Sequence, residues 1–308
     1  MIFPDVTSTV GGTPLVELGR LAAGLPGRVV AKLEMRNPCG SVKDRLGLAL
    51  IDDAERRGVL KPGMTLVEST GGNTGIGLAC TAAVRGYRLI LTMPESMSTE
   101  RVALLRHLGA EVVLTPGILM GEAVAEARRI ASVTSGALLL DQFANPANPE
   151  VHRRTTGPEI WEGTGGAVDV FVSAVGTGGT ITGVGEVLKE RNPAVRVVAA
   201  EPAGAAVLSG GPAGKHQMPG IGVGFVPEVL NQAVIDEIVA VTDDEAFGTA
   251  RRLAREEAIL AGISSGAAAH AALGLAARPG AAGTTIVVLL ADTGERYINS
   301  PLMTGSPE

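Results

Sequence analysis

A lysine at the start of a predicted helix is the first residue of this chain with a clear chemical use. Ser41 and Asp44 have the spacing of a capping box, and apolar residues follow at helical spacing over 46–51. We therefore expect Lys43 in the first helical turn, where unpaired backbone N–H groups disfavour a positive charge. A lysine whose pKa is lowered is a nucleophile that forms Schiff bases with carbonyl compounds. Taken alone, the pattern also fits an ordinary surface lysine.

Two glycine-rich loops each follow a predicted strand and open a predicted helix. The first loop has four glycines and three hydroxyl residues within residues 69–77, and the second, 176–183, is built almost entirely from Gly and Thr. Backbone N–H groups at the start of a helix bind carboxylates and phosphates. We expect the first loop to bind one of these anions and the second loop to bind a phosphate.

The second loop favours a single phosphate on a small cofactor. A dinucleotide fingerprint would need Gly or Ala where Ile181 stands, and the chain has no G-K-[ST] sequence of a Walker A loop. A dinucleotide-dependent oxidoreductase is therefore disfavoured. A non-catalytic protein that binds amino acids remains a second alternative, against which Lys43 argues.

The order of predicted elements indicates an α/β fold with a parallel, doubly wound sheet. The predicted strands are 28–34, 64–68, 87–92, 111–115, 137–140, 168–174, 196–201, 238–241 and 284–290, and predicted helices include 43–57, 98–108, 121–133 and 243–260. The Pro- and Asn-rich stretch 141–149 is a candidate crossing between domains. The glycine-dense stretch 209–225 is a long loop of the kind that is functional or mobile.

Composition narrows the class of protein. A chain of 308 residues forms one large or two medium domains, and its net charge of −6 argues against nucleic-acid or anionic-membrane partners. The two cysteines make no C-x-x-C pair and no metal-ligand cluster, which favours a reducing compartment. The chain has no basic and apolar leader at its start and no apolar run of about 18 residues, so we expect neither a signal peptide nor a membrane span.

Eight motifs occur in order along most of the chain, over about residues 9–300. They are N-P-x-x-S-x-K-D-R, T-G-G-N-T-G, Q-F-A-N-P-A-N-P, T-T-G-P-E-I-W, G-T-G-G-T, G-I-G-V-G-F, G-I-S-S-G-A and D-T-G-E-R-Y. This set resembles the cysteine synthases (O-acetylserine sulfhydrylases), which are pyridoxal-phosphate enzymes of fold type II, like the tryptophan synthase β subunit. The resemblance implies two doubly wound, three-layer domains with mostly parallel sheets. Residues 1–12 and 35–144 would form a smaller, mobile domain that grips the substrate, and residues 13–34 and 145–308 a larger domain that binds the cofactor phosphate.

The resemblance also implies roles for residues that match the motifs. Lys43 would be the catalytic lysine, which forms the internal aldimine with pyridoxal 5'-phosphate and moves the substrate's α-proton. The remaining cofactor-binding residues would be Gly176, Thr177, Gly178, Gly179 and Thr180 at the phosphate, Asn73 at the phenolic oxygen and Thr293 at the pyridine nitrogen. The substrate-binding residues would be Thr70, Gly71, Asn73, Thr74 and Gln142 at the carboxylate and Gly222 near the amine and leaving group. No metal is expected.

The implied reaction is a β-replacement. Acetate leaves O-acetyl-L-serine to give an aminoacrylate intermediate, and sulfide then adds at Cβ to give L-cysteine. A neutral hydroxyl at the ring nitrogen stabilises a carbanion less than a carboxylate would, which favours elimination of a β-leaving group. Lys215, in the predicted loop, leaves O-phosphoserine open as a donor, although a solvated lysine is the simpler interpretation. Gly71 also lacks a hydroxyl that many relatives have there, so another β-substituted alanine synthase, including a cystathionine β-synthase-like enzyme, stays an alternative.

The expected partners are an amino-acid substrate and sulfide. The resemblance further implies a homodimer in the cytoplasm and the C-terminal tail of serine acetyltransferase as a partner. The four histidines, His107, His152, His216 and His270, show no metal-ligand spacing, and we interpret them as structural or surface residues.

Overall fold

Ten strands and ten α-helices lie within residues 2–117 and 120–304, which are the residues that the computed structural model describes. The strands are β1 (Leu15–Glu17), β2 (Arg28–Leu33), β3 (Thr65–Ser69), β4 (Arg88–Pro94), β5 (Glu111–Thr115), β6 (Ala137–Leu139), β7 (Val170–Ala174), β8 (Arg196–Pro202), β9 (Glu237–Val241) and β10 (Thr285–Leu290). The helices are α1 (Lys43–Arg56), α2 (Asn73–Arg85), α3 (Thr99–His107), α4 (Met120–Val133), α5 (Ala147–Val151), α6 (Gly157–Gly163), α7 (Gly179–Arg191), α8 (Asp243–Glu257), α9 (Ile263–Ala276) and α10 (Pro301–Thr304).

The chain divides into two compact units. The first unit comprises Met1–Val10 and Asn37–Asn148, and the second comprises Gly11–Arg36 and Pro149–Glu308. Among the described residues, no helix is both long enough and apolar enough to cross a membrane.

The first unit is a parallel four-stranded sheet between two helical layers. Its strand order is β5-β4-β3-β6. Because successive side chains of a strand point to opposite faces, neighbouring residues of β3 and β4 join different cores. Leu66 and Leu89 belong to the core that contains residues of α1 and α2, whereas Val67 and Ile90 pack with Ile130 of α4.

The second unit is built on a six-stranded sheet of order β1-β2-β10-β7-β8-β9. Strand β1 is antiparallel to β2, and every other pair of neighbours in this sheet is parallel. The central strand β10 is fully buried, which explains its unbroken run of apolar residues after Thr285. The alanine-rich helix α9 shares a core with Val198 on one face. Helix α7 covers the other face, since a Cβ at Gly185 would lie 3.2 Å from Val197 Cγ2.

The predicted class, an α/β protein with mostly parallel sheets, is confirmed, and the end of one predicted helix is corrected. Residues 147–163 form α5, a π-helical turn (His152–Thr156) and α6 in succession, so the predicted crossing at 141–149 contains the start of a helix. The helix predicted over 243–260 ends at Glu257, because Ala258 turns to the left-handed conformation with φ 56°. Neither the π turn nor a left-handed alanine has a composition that marks it in the sequence.

The backbones of α1 and α2 meet at two glycines. A Cβ on Gly47 would lie 2.3 Å from the carbonyl carbon of Gly77, and a Cβ on Gly77 would lie 2.4 Å from the carbonyl oxygen of Lys43. Distances this short cannot be accommodated by side-chain rotation, because the opposing atoms are backbone atoms. Both positions therefore require glycine for the two helices to approach each other.

Replacing Gly77 with alanine should destabilise the first unit by about 2–4 kcal/mol, because the added methyl group must push α1 away from α2. The measurement is the free energy of unfolding in urea. Gly248→Ala in α8 is the matched control, since a Cβ there meets no atom within 4 Å. That control should gain about 0.5–1 kcal/mol from better helix propensity. Equal effects of the two substitutions would contradict the packing argument.

Candidate active site

Lys43 is the first residue of α1, as predicted, but the predicted capping box is wrong. The N–H of Lys43 donates to Ser41 Oγ at 3.2 Å, and the Asp44 carboxylate accepts from the N–H of Cys39 at 2.6 Å. A capping box would instead join Ser41 Oγ to the N–H of Asp44 and the carboxylate to the N–H of Ser41. The reason is that Val42, at the N-cap, already has helical dihedral angles of φ −56° and ψ −22°.

The pKa of Lys43 is lowered to about 8, and the cause is burial. The direction of this pKa shift agrees with the prediction from the sequence. Its cause differs, because we expected an effect of the helix N-terminus. Desolvation lowers the pKa because it disfavours the charged, ammonium form of the amine. Roughly half of the amine is therefore neutral at pH 8, compared with well under about 1% for a lysine of ordinary pKa. A neutral amine is the form that reacts with an aldehyde.

The first glycine-rich loop connects β3 to α2 and presents the start of that helix. Gly72 occupies the N-cap and provides no side-chain cap for the first N–H groups. The hydroxyl of Thr70 accepts from the N–H of Gly72 at 3.2 Å, and the hydroxyl of Thr74 donates to Gln142 Oε1 at 2.7 Å. Strands β3 and β6 are parallel neighbours, so the loops that follow them emerge at the same edge. The structure thus brings Thr70, Thr74 and Gln142 of the predicted carboxylate site together.

Gly71, the position that lacks a hydroxyl, lies against methionine. A Cβ there would approach Met97 Sδ to 2.9 Å and Met93 Sδ to 3.2 Å. Its carbonyl accepts from Arg101 Nη1 at 3.3 Å. Lys43 belongs to the same unit, and its carbonyl touches α2 at Gly77, about one turn beyond Asn73. The predicted site residues of the first unit therefore lie at the start of α1, at the start of α2 or on the loops that follow β3 and β6.

Three residues that support Gln142 were missed by the sequence analysis. Asn148 Nδ2 donates to the carbonyl oxygen of Gln142 at 2.8 Å. The carboxyl group of Glu68 accepts from the backbone N–H groups of Asp141 and Gln142. Asp141 itself has φ 53°, a left-handed conformation that is uncommon outside glycine. Asn148 lies within the motif Q-F-A-N-P-A-N-P, to which no role was given beyond Gln142. No motif marks Glu68 or Asp141, although a glutamate inside the apolar strand β3 is an unusual choice.

Glu68 is buried beside a second carboxylate. Burial and the charge of Asp141 raise the pKa of Glu68 to about 8, despite the backbone N–H groups that it accepts from. Its Oε2 atom is buried without a hydrogen-bond partner. Glu68 is therefore protonated at neutral pH, and the resulting neutral group connects β3 to the segment that positions Gln142.

The second glycine-rich loop forms a backbone cradle between β7 and α7. Gly178 is the N-cap of α7 with φ 85°, and no side chain caps the helix. A Cβ at Gly176 would lie 2.1 Å from the carbonyl oxygen of Gly220, and one at Gly178 would lie 2.7 Å from Leu230 Cβ. The loop thus has no room for side chains at these positions, and the N-terminal amides of α7 are left to bind an anion. This geometry fits the phosphate of a small cofactor.

His152 is a further residue of the second unit, which the sequence analysis interpreted only as a structural or surface residue. It is buried and lies in the π-helical turn. Its Nδ1 atom lies 2.9 Å from Thr156 Oγ1, and its Nε2 atom lies 3.2 Å from Thr180 Oγ1. His152 therefore contacts a residue of the predicted phosphate cradle. No spacing in the sequence relates position 152 to position 180.

Gly222 and Thr293 lie at the same edge of the second sheet as the cradle. The N–H of Gly222 donates to the carbonyl oxygen of Val175 at 3.1 Å, directly before the cradle begins. Thr293 follows β10, the parallel neighbour of β7, and its hydroxyl accepts from the N–H of Glu295 at 3.4 Å. The structure therefore places residues 176–180, at the junction of β7 and α7, at the same sheet edge as the loops that carry Gly222 and Thr293.

Known proteins resemble this chain over nearly its whole length. Residues 6–292 match the family described as pyridoxal-phosphate dependent enzyme. A cysteine synthase A of Escherichia coli (strain K12) is 52% identical over 311 residues, which cover 98% of this chain and 95% of that protein. The chain belongs to the cysteine synthase family. Membership of this family makes pyridoxal phosphate the small cofactor that the cradle fits.

Solved structures agree with this assignment. A cysteine synthase from Entamoeba histolytica superposes with a TM-score of 0.96 at 41% identity and covers 100% of this chain and 93% of its own. An O-ureido-L-serine synthase also has a TM-score of 0.96, at 45% identity, with 100% of this chain and 97% of that chain covered. The fold type II assignment is therefore confirmed.

Glu68 should make the stability of this cysteine synthase family member fall as pH rises from 4.5 to about 8. Its folded pKa of about 8 exceeds the ordinary value of 4.5, so its contribution is present in full below pH 4.5 and is lost as pH rises through 8. Relative to Glu68→Gln, the wild type should lose roughly 1.4 kcal/mol per pH unit across this range, as an upper bound. The measurement is urea unfolding at pH 5, 7 and 9.

Glu111→Gln is the control for this measurement. Glu111 is an exposed residue of the same unit whose pKa is lowered by its hydrogen bond with Arg88, so it stays ionised throughout the range. Removal of the Glu111 carboxylate should leave the pH dependence of the free energy of unfolding unchanged between pH 5 and 9. Parallel stability curves for the wild type and Glu68→Gln would show that Glu68 is ionised in the native state.

Proposed function

We propose that this protein forms L-cysteine from O-acetyl-L-serine and sulfide, with pyridoxal 5'-phosphate as its cofactor. The observation that carries the proposal is Lys43: it lies at the start of α1, and burial lowers its pKa to about 8. Similarity to cysteine synthases at 52% identity supports the same reaction. A half-buried lysine of lowered pKa in a family defined by pyridoxal phosphate is the group expected to carry the cofactor.

The residues that match the family motifs would hold the cofactor. Residues 176–180 would bind its phosphate through backbone N–H groups and threonine hydroxyls, Asn73 would contact its phenolic oxygen, and the Thr293 hydroxyl would face its ring nitrogen. When bound, pyridoxal phosphate supplies an electron sink that allows bonds at Cα and Cβ of an amino acid to break. A neutral threonine hydroxyl at the ring nitrogen favours departure of a group from Cβ.

The first unit would bind the carboxylate of the amino acid. Thr70, Gly71, Asn73 and Thr74 present backbone N–H groups and hydroxyls at the start of α2, and Gln142 is fixed beside them by its bond with Thr74. Holding the carboxylate there orients the substrate for loss of its Cα proton. We therefore propose that the first unit grips the substrate and that the second holds the cofactor phosphate.

Lys43 would act as the base of the reaction. Its neutral amine would take the proton from Cα of O-acetyl-L-serine, and acetate would leave from Cβ. Sulfide would then form the new C–S bond at Cβ, and Lys43 would return a proton to Cα to give L-cysteine. Gly222, with φ 60° and packed against Pro202, would line the space near the amine and the leaving group without a side chain.

The alternative donors lack a supporting contact. Lys215 is exposed, which is the arrangement of a solvated lysine rather than of a phosphate-binding residue. O-acetyl-L-serine is therefore the donor that we propose. The family resemblance also supports a homodimer in the cytoplasm and the C-terminal tail of serine acetyltransferase as a binding partner.

Lys43→Ala should abolish the visible absorption band of the pyridoxal-phosphate-loaded protein, because no amine would remain at this position to bond the aldehyde. The measurement is the absorption spectrum after addition of pyridoxal phosphate and removal of the excess. Lys61→Ala, which changes an exposed lysine of the same unit, should keep the band. A retained band in Lys43→Ala would assign cofactor attachment to another lysine.

The choice of donor is tested by product formation. The wild-type holoenzyme should shift its visible band to longer wavelength on addition of O-acetyl-L-serine and recover the original band when sulfide is added, with L-cysteine detected by mass spectrometry. O-phospho-L-serine and L-serine should give neither change at equal concentration. A shift with O-phospho-L-serine alone would keep the cofactor assignment and replace the donor.

A further inference from the structure

His216 lies beside one of the loops of the candidate active site. The sequence analysis interpreted it as a structural or surface residue, and it is half-buried in the glycine-dense stretch 209–225. Its Nε2 atom lies 3.1 Å from the carbonyl oxygen of Gly222, and its Nδ1 atom accepts from the N–H of Met218 at 3.2 Å. The imidazole ring therefore bridges two points of the same loop. None of the proposed steps of the reaction uses this ring.

The two hydrogen bonds determine which ring nitrogen carries the proton. A backbone N–H only donates, so the Nδ1 atom that faces Met218 carries no proton. A carbonyl oxygen only accepts, so the Nε2 atom carries the proton and donates it to Gly222. One neutral tautomer satisfies both contacts. His216 is therefore a directional donor to a single backbone carbonyl.

The segment that carries His216 is fixed to the rest of the second unit. Met218 is buried in the core of that unit. The N–H of Gln217 donates to Asp243 Oδ1, at the start of α8, at 2.9 Å. The residues directly after the histidine are thus held by a core side chain and by a hydrogen bond. A ring on such a support can hold a second segment in place.

The segment that the ring holds is rich in glycine and lies against the phosphate cradle. Gly220, Gly222 and Gly224 all have positive φ, and glycine has access to many other backbone conformations. The carbonyl oxygen of Gly220 occupies the place that a Cβ of Gly176 would need. The N–H of Gly222 donates to the carbonyl oxygen of Val175, the residue before the cradle. This segment therefore needs specific contacts to keep one conformation beside the cradle.

Both polar groups of the Gly222 backbone are fixed by such contacts. Val175 holds its N–H, and His216 holds its carbonyl oxygen. The imidazole also packs on the glycine, since a Cβ at Gly222 would lie 2.8 Å from His216 Nε2. Without the bond from the histidine, the peptide group between Gly222 and Val223 would be held on one side only and could rotate. One side chain thus selects the orientation of this peptide group.

We propose that His216 is a positioning residue for the reaction: by holding the carbonyl of Gly222, it fixes the backbone beside the phosphate cradle for the substrate. This inference rests on the proposed function, in which Gly222 lines the space near the amine and the leaving group. A backbone that is ordered before the substrate arrives loses less conformational freedom on binding. Loss of the bond should therefore weaken binding of O-acetyl-L-serine, whereas attachment of the cofactor to Lys43 should not change.

Two substitutions separate the bond to Gly222 from the bond to Met218. The amide nitrogen of His216→Gln reaches the position of Nε2 and can donate to Gly222. The amide oxygen of His216→Asn replaces Nδ1 and can accept from Met218, but its side chain is too short to reach Gly222. Circular dichroism would verify that both variants are folded.

The first measurement is hydrogen–deuterium exchange of the substrate-free holoenzyme, followed by mass spectrometry of peptides that cover residues 219–226. We expect exchange in this segment to be about tenfold faster in His216→Asn than in the wild type, as one hydrogen bond is lost. Exchange in His216→Gln should stay within about twofold of the wild type. Unchanged exchange in His216→Asn would overturn the proposal.

The second measurement is titration of the visible band with O-acetyl-L-serine. All three holoenzymes should show the same band before the substrate is added. The concentration that gives half of the band shift should rise about tenfold in His216→Asn and less than about twofold in His216→Gln. Faster exchange with an unchanged half-saturating concentration, or equal losses in the two variants, would reduce His216 to a structural role and overturn the proposal.

Failure of the proposed function would be recognised separately. A wild-type band that ignores O-acetyl-L-serine would refute the proposed donor. The exchange measurement needs no substrate, so it would still decide whether His216 holds Gly222.

Discussion

The contact between the backbones of α1 and α2 is the constraint on which the first unit depends. Gly47 and Gly77 leave no space between the helices, so the first turn of α1 lies against α2 about one turn from its start. That contact places the backbone of Lys43 against Gly77 of α2. It therefore sets Lys43 near the glycine-rich loop that opens α2. One packing requirement thus determines where the lysine lies relative to that loop.

In the second unit, the pairing of parallel strands positions the loops of the candidate site. The register of β10 against β7 places Val288 opposite Val172, so the loops that follow these strands leave the sheet side by side. The cradle at 176–180 and Thr293 lie on those loops. The sheet thus provides a rigid edge, and glycines at positions without room for a Cβ bring backbone amides to it. The requirement for glycine is steric, which explains why this loop is so rich in it.

Much of this arrangement could be predicted from the sequence, because apolar strand runs and glycine-rich helix starts have strong local signals. The fold class, the start of α1 and the cradle loop follow from such signals. The cause of the Lys43 pKa shift could not be predicted, since burial depends on the tertiary fold and not on a local pattern. The same holds for Glu68, whose pKa is raised by burial and by the charge of Asp141, a residue more than seventy positions away. His152 was interpreted as structural or surface because its contact with Thr180 arises only when α7 packs beside the π-helical turn.

That π-helical turn has a consequence for how the chain tolerates changes in length. A π turn holds one more residue than an α turn, so His152–Thr156 amounts to a one-residue insertion between α5 and α6. Deleting a single residue there would restore a continuous α-helix and rotate one flank by about 100° relative to the other. His152 and α6 would then no longer face their present neighbours together. Relatives that retain the cradle contact should therefore keep the length of this segment even where its residue types differ.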